Sequence, residues 1–97
     1  MSSLPDRLRW AREIAGISQR ELSRLAGLKS QRHVGLIEAS ERPNLVVETV
    51  SGIAAALGVS IDWLVHGTGE PPSEHDIRAA VKAAQDRVAV LPNGSAA

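Results

Sequence analysis

Residues 18–38 read SQRELSRLAGLKSQRHVGLIE, and this stretch decides how the rest of the chain is organised. Ser18 is a favourable helix N-cap, and Glu21 follows it at capping-box spacing, so we expect a helix to begin here. Apolar residues then recur along one side until Gly27, a residue type that often ends a helix in the left-handed conformation. The pattern therefore predicts one short helix followed by a tight glycine turn.

A second helix is predicted beyond this turn. Ser30 can cap it, Val34 and Ile37 recur at helical spacing, and polar side chains occupy its other face. Two short helices around a glycine turn, the second with a polar edge, form the helix-turn-helix pattern. In that pattern the second helix lies in the major groove of DNA.

The composition favours helices throughout the chain. Of 97 residues, 43% are hydrophobic, but the only aromatic residues are two tryptophans, so Leu, Ile, Val and Ala must build the core. No stretch alternates apolar and polar residues for long enough to indicate a strand. We therefore predict an all-α protein with one small domain and an appendage.

Three further helices are predicted around this pattern. The first spans residues 4–15, the second has Asn44 as a candidate cap and an apolar stripe from Val47 to Leu57, and the third spans residues 61–66. Gly58 closes the second of these helices, and Ser60 caps the third. A stretch rich in Gly, Glu and Pro then indicates a linker at residues 68–72. The predicted helix-turn-helix domain therefore spans residues 1–67.

A last helix is predicted over residues 73–91, followed by a disordered tail at residues 92–97. Its apolar residues alternate between spacings of four and three, as in a coiled coil; they are Ile77, Val81, Ala84, Val88 and Leu91. So short a stripe must lie against another surface. We expect it to strengthen a homodimer, and packing against its own domain is the alternative.

From about Leu4 to Gly67 the chain resembles the Cro and phage-repressor, or XRE-type, helix-turn-helix proteins. The resemblance rests on several ordered motifs, which are Arg7-Leu8-Arg9 and Arg12, Gly16-Ile17-Ser18-Gln19, Glu21-Leu22-Ser23, Val34-Gly35-Leu36-Ile37-Glu38, and the run from Ala56 to Leu64. It implies a five-helix repressor-like domain, here followed by one extra C-terminal helix. It also implies a sequence-specific transcriptional regulator, a repressor, that binds two-fold sites in double-stranded DNA as a dimer.

The resemblance also assigns roles to residues at matching positions. Arg12 in the first helix is expected to form a salt bridge with Glu38 at the end of the recognition helix. Gln19 is expected to contact a phosphate at the start of the second helix, or to brace the recognition helix. These roles would fix the angle at which the protein meets DNA.

Side-chain chemistry suggests the remaining DNA contacts. An amide can pair bidentately with adenine and a guanidinium with guanine. The candidates for reading bases are therefore Gln31, Arg32, His33 and Ser30. Phosphate contacts add affinity without sequence information, and the candidates for these are Gln19, Arg20, Lys29 and Arg42.

Several features depart from the family pattern. The turn between Gly27 and Val34 is one residue longer than usual, and Ser40 stands where the family usually has a glycine. Gly35 and Leu36 are unusual on a helix that should present polar atoms to DNA. An alternative therefore stays open: a protein-interaction module, or an antitoxin-type regulator with a protein partner, that keeps the fold with weak or partner-dependent DNA binding.

The charge distribution favours the DNA-binding interpretation although the net charge is zero. Residues 1–44 carry eight basic and five acidic residues, whereas residues 45–97 carry three basic and six acidic residues. The helix-turn-helix pattern lies in the positive part. This part can attract phosphates, with modest non-specific affinity.

Other classes of function are not indicated. Cysteine is absent and no histidine pair has metal-ligand spacing, so we expect neither a metal nor another cofactor. No nucleophile lies in a sharp-turn motif, so an enzyme is not expected. Because we find no signal segment or membrane span, the expected location is the cytoplasm, on the nucleoid, for a bacterial or phage-encoded protein.

Overall fold

Six helices make up the regular structure of the described residues. The structure is a computed structural model that describes residues 3–30, 32–39 and 46–89. Within these ranges no strand occurs, and the helices are α1 (Leu4–Ala15), α2 (Gln19–Leu25), α3 (Arg32–Ala39), α4 (Val47–Leu57), α5 (Ile61–His66) and α6 (Glu74–Ala89). The predicted all-α fold, with five repressor-like helices followed by one more, is confirmed.

Serine hydroxyls cap two of the helices for which the sequence predicted a cap, α2 and α5. Ser18 Oγ accepts a hydrogen bond from the backbone N–H of Glu21 at 3.0 Å, and Ser60 Oγ accepts one from Trp63 at 3.0 Å. Each bond satisfies a backbone donor that has no partner inside its helix. Because caps depend on local sequence, the predicted starts of α2 and α5 agree with the structure.

The core is aliphatic, and every helix contributes to it. Its largest fully buried side chains are Leu8, Leu22, Ile53, Leu57, Leu64, Ile77 and Val34. Trp63 joins this core, and its ring lies 6.0 Å from the ring of half-buried Trp10 in an edge-to-face arrangement. Truncating a leucine in such a core costs about 2–5 kcal/mol because a cavity remains. Packing of this core therefore holds the helix-turn-helix in place.

Helix α6 belongs to the same core, as in the alternative that the sequence left open beside dimerisation. It packs against α1, α2 and α4 of its own chain, where Ile77, Val81 and Ala84 are buried and Val88 is partly buried. The face that carries this stripe is therefore covered within the chain itself. Heptad spacing indicates which face of a helix is buried, but not which surface covers it. Leu91 lies outside the described residues, as does the predicted tail.

Gly58 permits the close approach of α6 to α4. It ends α4 in the left-handed conformation, with φ of 69°. A Cβ atom at this position would overlap the Ala80 methyl group on α6. A hydrogen bond of 3.3 Å from Gln85 Nε2 to Glu21 Oε2 adds a second link, from α6 to α2. α6 is thus held at two points along its length.

One arginine lies in the interior and joins the first helix to the fifth. Arg7 donates from Nε to the backbone oxygen of Leu64 and from Nη2 to that of Val65, both at 2.9 Å. Carbonyl groups at a helix C-terminus lack partners within the helix, and the helix dipole favours a positive charge there. Arg7 therefore stabilises the end of α5, and its charge is not available to DNA.

Candidate nucleic-acid interface

Helix α3, the expected recognition helix, has one buried face and one exposed face. The buried side chains are Val34, Ile37 and Glu38. The exposed ones are Arg32, His33, Leu36 and Ala39. Because successive helical residues are rotated by about 100°, Arg32 and Leu36 lie only about 40° apart, opposite the buried face. His33 is about 100° from Arg32, so it lies on the flank of the exposed face.

Glu38, at the end of the buried face, is bound by three side chains. Arg12 donates from Nε to Glu38 Oε2 at 2.6 Å and from Nη2 to Oε1 at 3.0 Å. Gln19 Nε2 donates to Oε1 at 3.1 Å, and Arg9 Nη2 donates to the backbone oxygen of Glu38 at 2.6 Å. The hydrogen bond to Glu38 raises the pKa of Arg12 above its usual value. α1 and α2 therefore both hold the end of α3.

This network differs from an ordinary surface salt bridge. The side chain of Glu38 is 3% exposed and that of Arg12 is 15% exposed. Water and salt therefore screen the pair weakly. Two parallel N–H···O bonds also fix the orientation of the guanidinium relative to the carboxylate. The structure thus places Arg12 and Glu38 in direct contact, where they set the position of α3 against α1.

Gln19 braces α3 across a gap that Gly35 leaves. A Cβ atom at position 35 would lie 3.3 Å from Gln19 Oε1, which is tighter than ordinary van der Waals contact. The amide therefore crosses α3 where α3 has no side chain. This contact accounts for a glycine that lowers helix propensity by about 1 kcal/mol. Of the two roles expected for Gln19, bracing is visible in the structure, and the phosphate contact stays a prediction.

Cationic side chains on α2 and in the following turn border α3. They lie around an open groove lined by Arg20, Ser23, Arg24, Leu28, Lys29 and Ser30. Arg20 and Lys29 are exposed. Arg24 donates to both carboxylate oxygens of Glu21, at 2.9 and 2.7 Å, and this bond lowers the pKa of Glu21. The groove therefore brings together three of the predicted contacts, Arg20, Lys29 and Ser30.

The other predicted DNA contacts do not share a single surface. Ser30 Oγ accepts a hydrogen bond from the backbone N–H of Arg32 at 3.0 Å, so Ser30 also shapes the start of α3. His33 is exposed but lies on the flank. Gln31 and Arg42 lie outside the described residues, as does Ser40. Among the described candidates for reading bases, Arg32 is therefore the best placed.

Sequence reasoning overestimated the charge available to DNA. Of the basic residues before position 45, Arg7 and Arg9 donate to backbone carbonyls and Arg12 to Glu38. The family resemblance implied the pairing of Arg12, but nothing in the sequence separates Arg7 and Arg9 from outward-facing arginines, because their acceptors lie on other helices. The positive surface is thus smaller than the counted charge suggests, and it centres on Arg20, Lys29 and Arg32.

The described part of the chain contains neither a cluster of metal-ligand residues nor a helix that could span a membrane. In residues 3–30, 32–39 and 46–89, no group of three or more His, Cys, Asp or Glu residues could hold a metal ion. None of the helices in these ranges is long and apolar enough to cross a membrane. The features that call for a functional explanation are α3 and the cationic groove beside it.

Comparison with protein families agrees with this geometry. The model of a helix-turn-helix family matches residues 8–64, a range that runs from α1 into α5. The chain therefore belongs to the Cro/repressor-type, or XRE-type, helix-turn-helix family. It is a DNA-binding transcription regulator in general terms. Comparison with curated proteins gives no significant match, and neither does comparison with solved structures.

Proposed function

We propose that this regulator is a repressor that reads a specific DNA sequence in the major groove with α3. The observation that carries the proposal is the contrast between the two faces of this helix. Glu38 holds the inner face to α1 and α2, and Arg32 is exposed on the outer face. A guanidinium on a rigid helix can pair bidentately with O6 and N7 of guanine. Gln31 would pair with adenine beside it.

Contacts between basic side chains and the phosphates that flank the DNA major groove would orient α3. Arg20 and Lys29 are exposed next to Ser30, at the start of the recognition helix. Their ammonium and guanidinium groups would neutralise phosphates without reading bases. Gln19 and Arg42 complete the proposed set of phosphate contacts. The modest number of cations favours a protein whose specific affinity comes largely from the base contacts of α3.

Repression is the regulatory outcome that needs the fewest additional features. A protein bound across a promoter excludes other proteins from it, whereas activation requires a further surface that recruits them. As a regulator of bacterial or phage genes, the protein would act in the cytoplasm on the nucleoid. The proposed location follows from the proposed binding to DNA.

A second copy is proposed to bind at the face formed by α4 and α5, because α6 is occupied within its own chain. Val47 and Ile61 are exposed there, with 76% and 45% of their surface accessible, and Val46 is 55% exposed. Val47 and Ile61 also line a nearly apolar groove, together with Val50, Ser51 and Val65. A two-fold contact uses the same patch on both copies, and an exposed apolar patch suits that arrangement. Two recognition helices could then bind half-sites about one helical turn apart.

Selection of duplexes from a random pool tests the proposed specificity directly. The full chain should enrich a two-fold motif. Titration of the selected duplex with salt should give a log–log slope near −0.9 for each phosphate contacted. No enrichment over random duplex would overturn the proposed specificity.

Substitution of Arg32 tests the base-reading role of α3. Arg32→Ala should weaken binding to the selected duplex by about 1–3 kcal/mol and leave binding to random duplex nearly unchanged, because a base contact is lost. Arg78→Ala is the matched control, since Arg78 is an arginine on α6 whose side chain is 57% exposed. Equal losses on both duplexes would reassign Arg32 to a phosphate, and no loss on either would remove it from the interface.

The alternative is a protein-interaction module that retains the fold with weak or partner-dependent DNA binding. The observation that favours it is the exposed Leu36 on the outer face of α3. The same selection experiment separates the two functions. An interaction module would enrich no motif and would show weak binding to every duplex, and Arg32→Ala would not change the relative affinities.

A further inference from the structure

Leu36 is an exposed leucine in the middle of the surface assigned to DNA. Its side chain is 55% exposed, whereas its helical neighbours Val34 and Ile37 are buried. An isolated exposed leucine is common on protein surfaces. The position of this one is unusual, because it follows Arg32 by four residues and shares the outer face of α3 with it.

The neighbouring residues leave the side chain of Leu36 accessible to a DNA groove. Gly35 contributes no side chain, and the amide of Gln19 lies over that position. Ala39, one turn away, is small and exposed. Leu36 is therefore the largest apolar side chain on the outer face of α3 that the structure describes.

We propose that Leu36 reads the methyl group of a thymine, and so acts as a specificity-determining residue of the DNA site. The inference rests on the proposed function of α3. In the major groove thymine presents its C5 methyl group, and an apolar side chain can contact it. Leucine has no donor or acceptor, so contact with a polar base edge would cost hydration without a compensating hydrogen bond. The methyl group is the one major-groove feature that suits this side chain.

The helix geometry also places this thymine relative to the base read by Arg32. Residues four apart on a helix are separated by about 6 Å along its axis. Successive base pairs are about 3.4 Å apart. The thymine should therefore lie one or two base pairs from the guanine paired with Arg32, in each half-site.

Replacement of thymine by uracil removes only the methyl group and provides the test. In the duplex selected by the full chain, each thymine is replaced in turn. For the wild-type protein, one replacement near the guanine should weaken binding roughly fourfold, which corresponds to one methyl group no longer buried. For Leu36→Ala, the thymine and uracil duplexes should bind equally at that position. A second variant, Leu36→Gln, should shift the preferred base there towards adenine.

The outcomes separate this inference from the proposed function. A selected motif that contains no uracil-sensitive thymine would overturn the role of Leu36 and leave the base-reading role of α3 intact. The inference would also be overturned if Leu36→Ala retained the uracil sensitivity. Failure to select any motif would overturn both. Because Leu36 is exposed, circular dichroism of Leu36→Ala should match that of the wild type, which confirms that the comparison uses folded protein.

Discussion

At the scale of single residues, Glu38 is the group on which the position of α3 depends most. Its carboxylate is nearly inaccessible to water and is bound by Arg12 and Gln19. Leaving a buried charge without one of its partners raises the free energy of the folded state. The loss of Arg12 or Gln19 would therefore also weaken the remaining contacts of Glu38. Exposed salt bridges elsewhere on the molecule have no such dependence.

Glu38→Gln should lower the free energy of unfolding by about 1–3 kcal/mol, because Arg12 loses its ionic partner in a poorly hydrated site. Urea denaturation followed by circular dichroism measures this change. Glu74→Gln is the matched control, since Glu74 pairs with Arg78 on the surface and its loss should cost under about 1 kcal/mol. Equal midpoints for the two variants would show that the Glu38 network does not stabilise the fold.

Part of this site could be predicted from the sequence. The pairing of Arg12 with Glu38 followed from the family resemblance, and the structure shows the two in contact. Bracing by Gln19 was one of the two roles that the resemblance implied. The contribution of Arg9 did not follow, because it depends on the angle between α1 and α3. Gly35 seemed anomalous for the same reason: its purpose is a contact with Gln19, a residue 16 positions earlier.

At the scale of elements, the C-terminal helix shows what a periodic pattern can and cannot predict. The stripe of apolar residues on α6 was recognisable from its spacing. Its partner was not, because the same spacing suits a second copy and the chain's own core. The decisive information is the shape of the receiving surface, in particular the missing side chain at Gly58 opposite Ala80.

Gly58→Ala should therefore destabilise the protein more than Gly16→Ala. Both glycines end a helix in the left-handed conformation, with φ of 69° and 71°, so both substitutions cost about 1–2 kcal/mol in backbone strain. Only at Gly58 must α6 also move, since nothing lies within 4 Å of a Cβ atom built at Gly16. Urea midpoints measure the difference.

A further variant separates the α6 contact from backbone strain. Ala80→Gly combined with Gly58→Ala removes the methyl group that the new side chain would meet, at the cost of a glycine within a helix. Relative to Ala80→Gly alone, Gly58→Ala should then cost about as much as Gly16→Ala. If Gly58→Ala and Gly16→Ala lower the urea midpoint equally in the wild-type background, the close contact described between Gly58 on α4 and Ala80 on α6 is wrong.

At the scale of the whole molecule, zero net charge conceals an uneven distribution. Among residues 1–44, Arg7, Arg9 and Arg12 bind acceptors within the protein. Arg20, Lys29 and Arg32 are exposed on the surface around α3. A second feature of the surface is the exposed apolar patch on α4 and α5. Exposed apolar patches of this kind often mark interfaces. Both features bear on the proposed dimer.

Val47→Asp should reduce the dimer to monomer, because it would place two carboxylates in an apolar two-fold contact. Analytical ultracentrifugation at several protein concentrations measures this shift. Ala83→Asp is the control, since Ala83 is exposed on α6 and outside the patch. A wild-type chain that sediments as a monomer bound to its two-fold duplex would overturn the proposed dimer, and a Val47→Asp variant that still dimerises would place the contact elsewhere.

The attachment of Glu38 to two other helices has a consequence for how such a protein acquires new targets. α3 cannot roll about its axis when its outward residues change, because a roll of one residue, about 100°, would pull the carboxylate away from both its partners. Under the proposed function, exchanging the outward residues would alter which operator is bound without disturbing the helices that hold α3. New regulatory circuits can then arise by a few substitutions, and the helix is a natural position at which to reprogramme the protein.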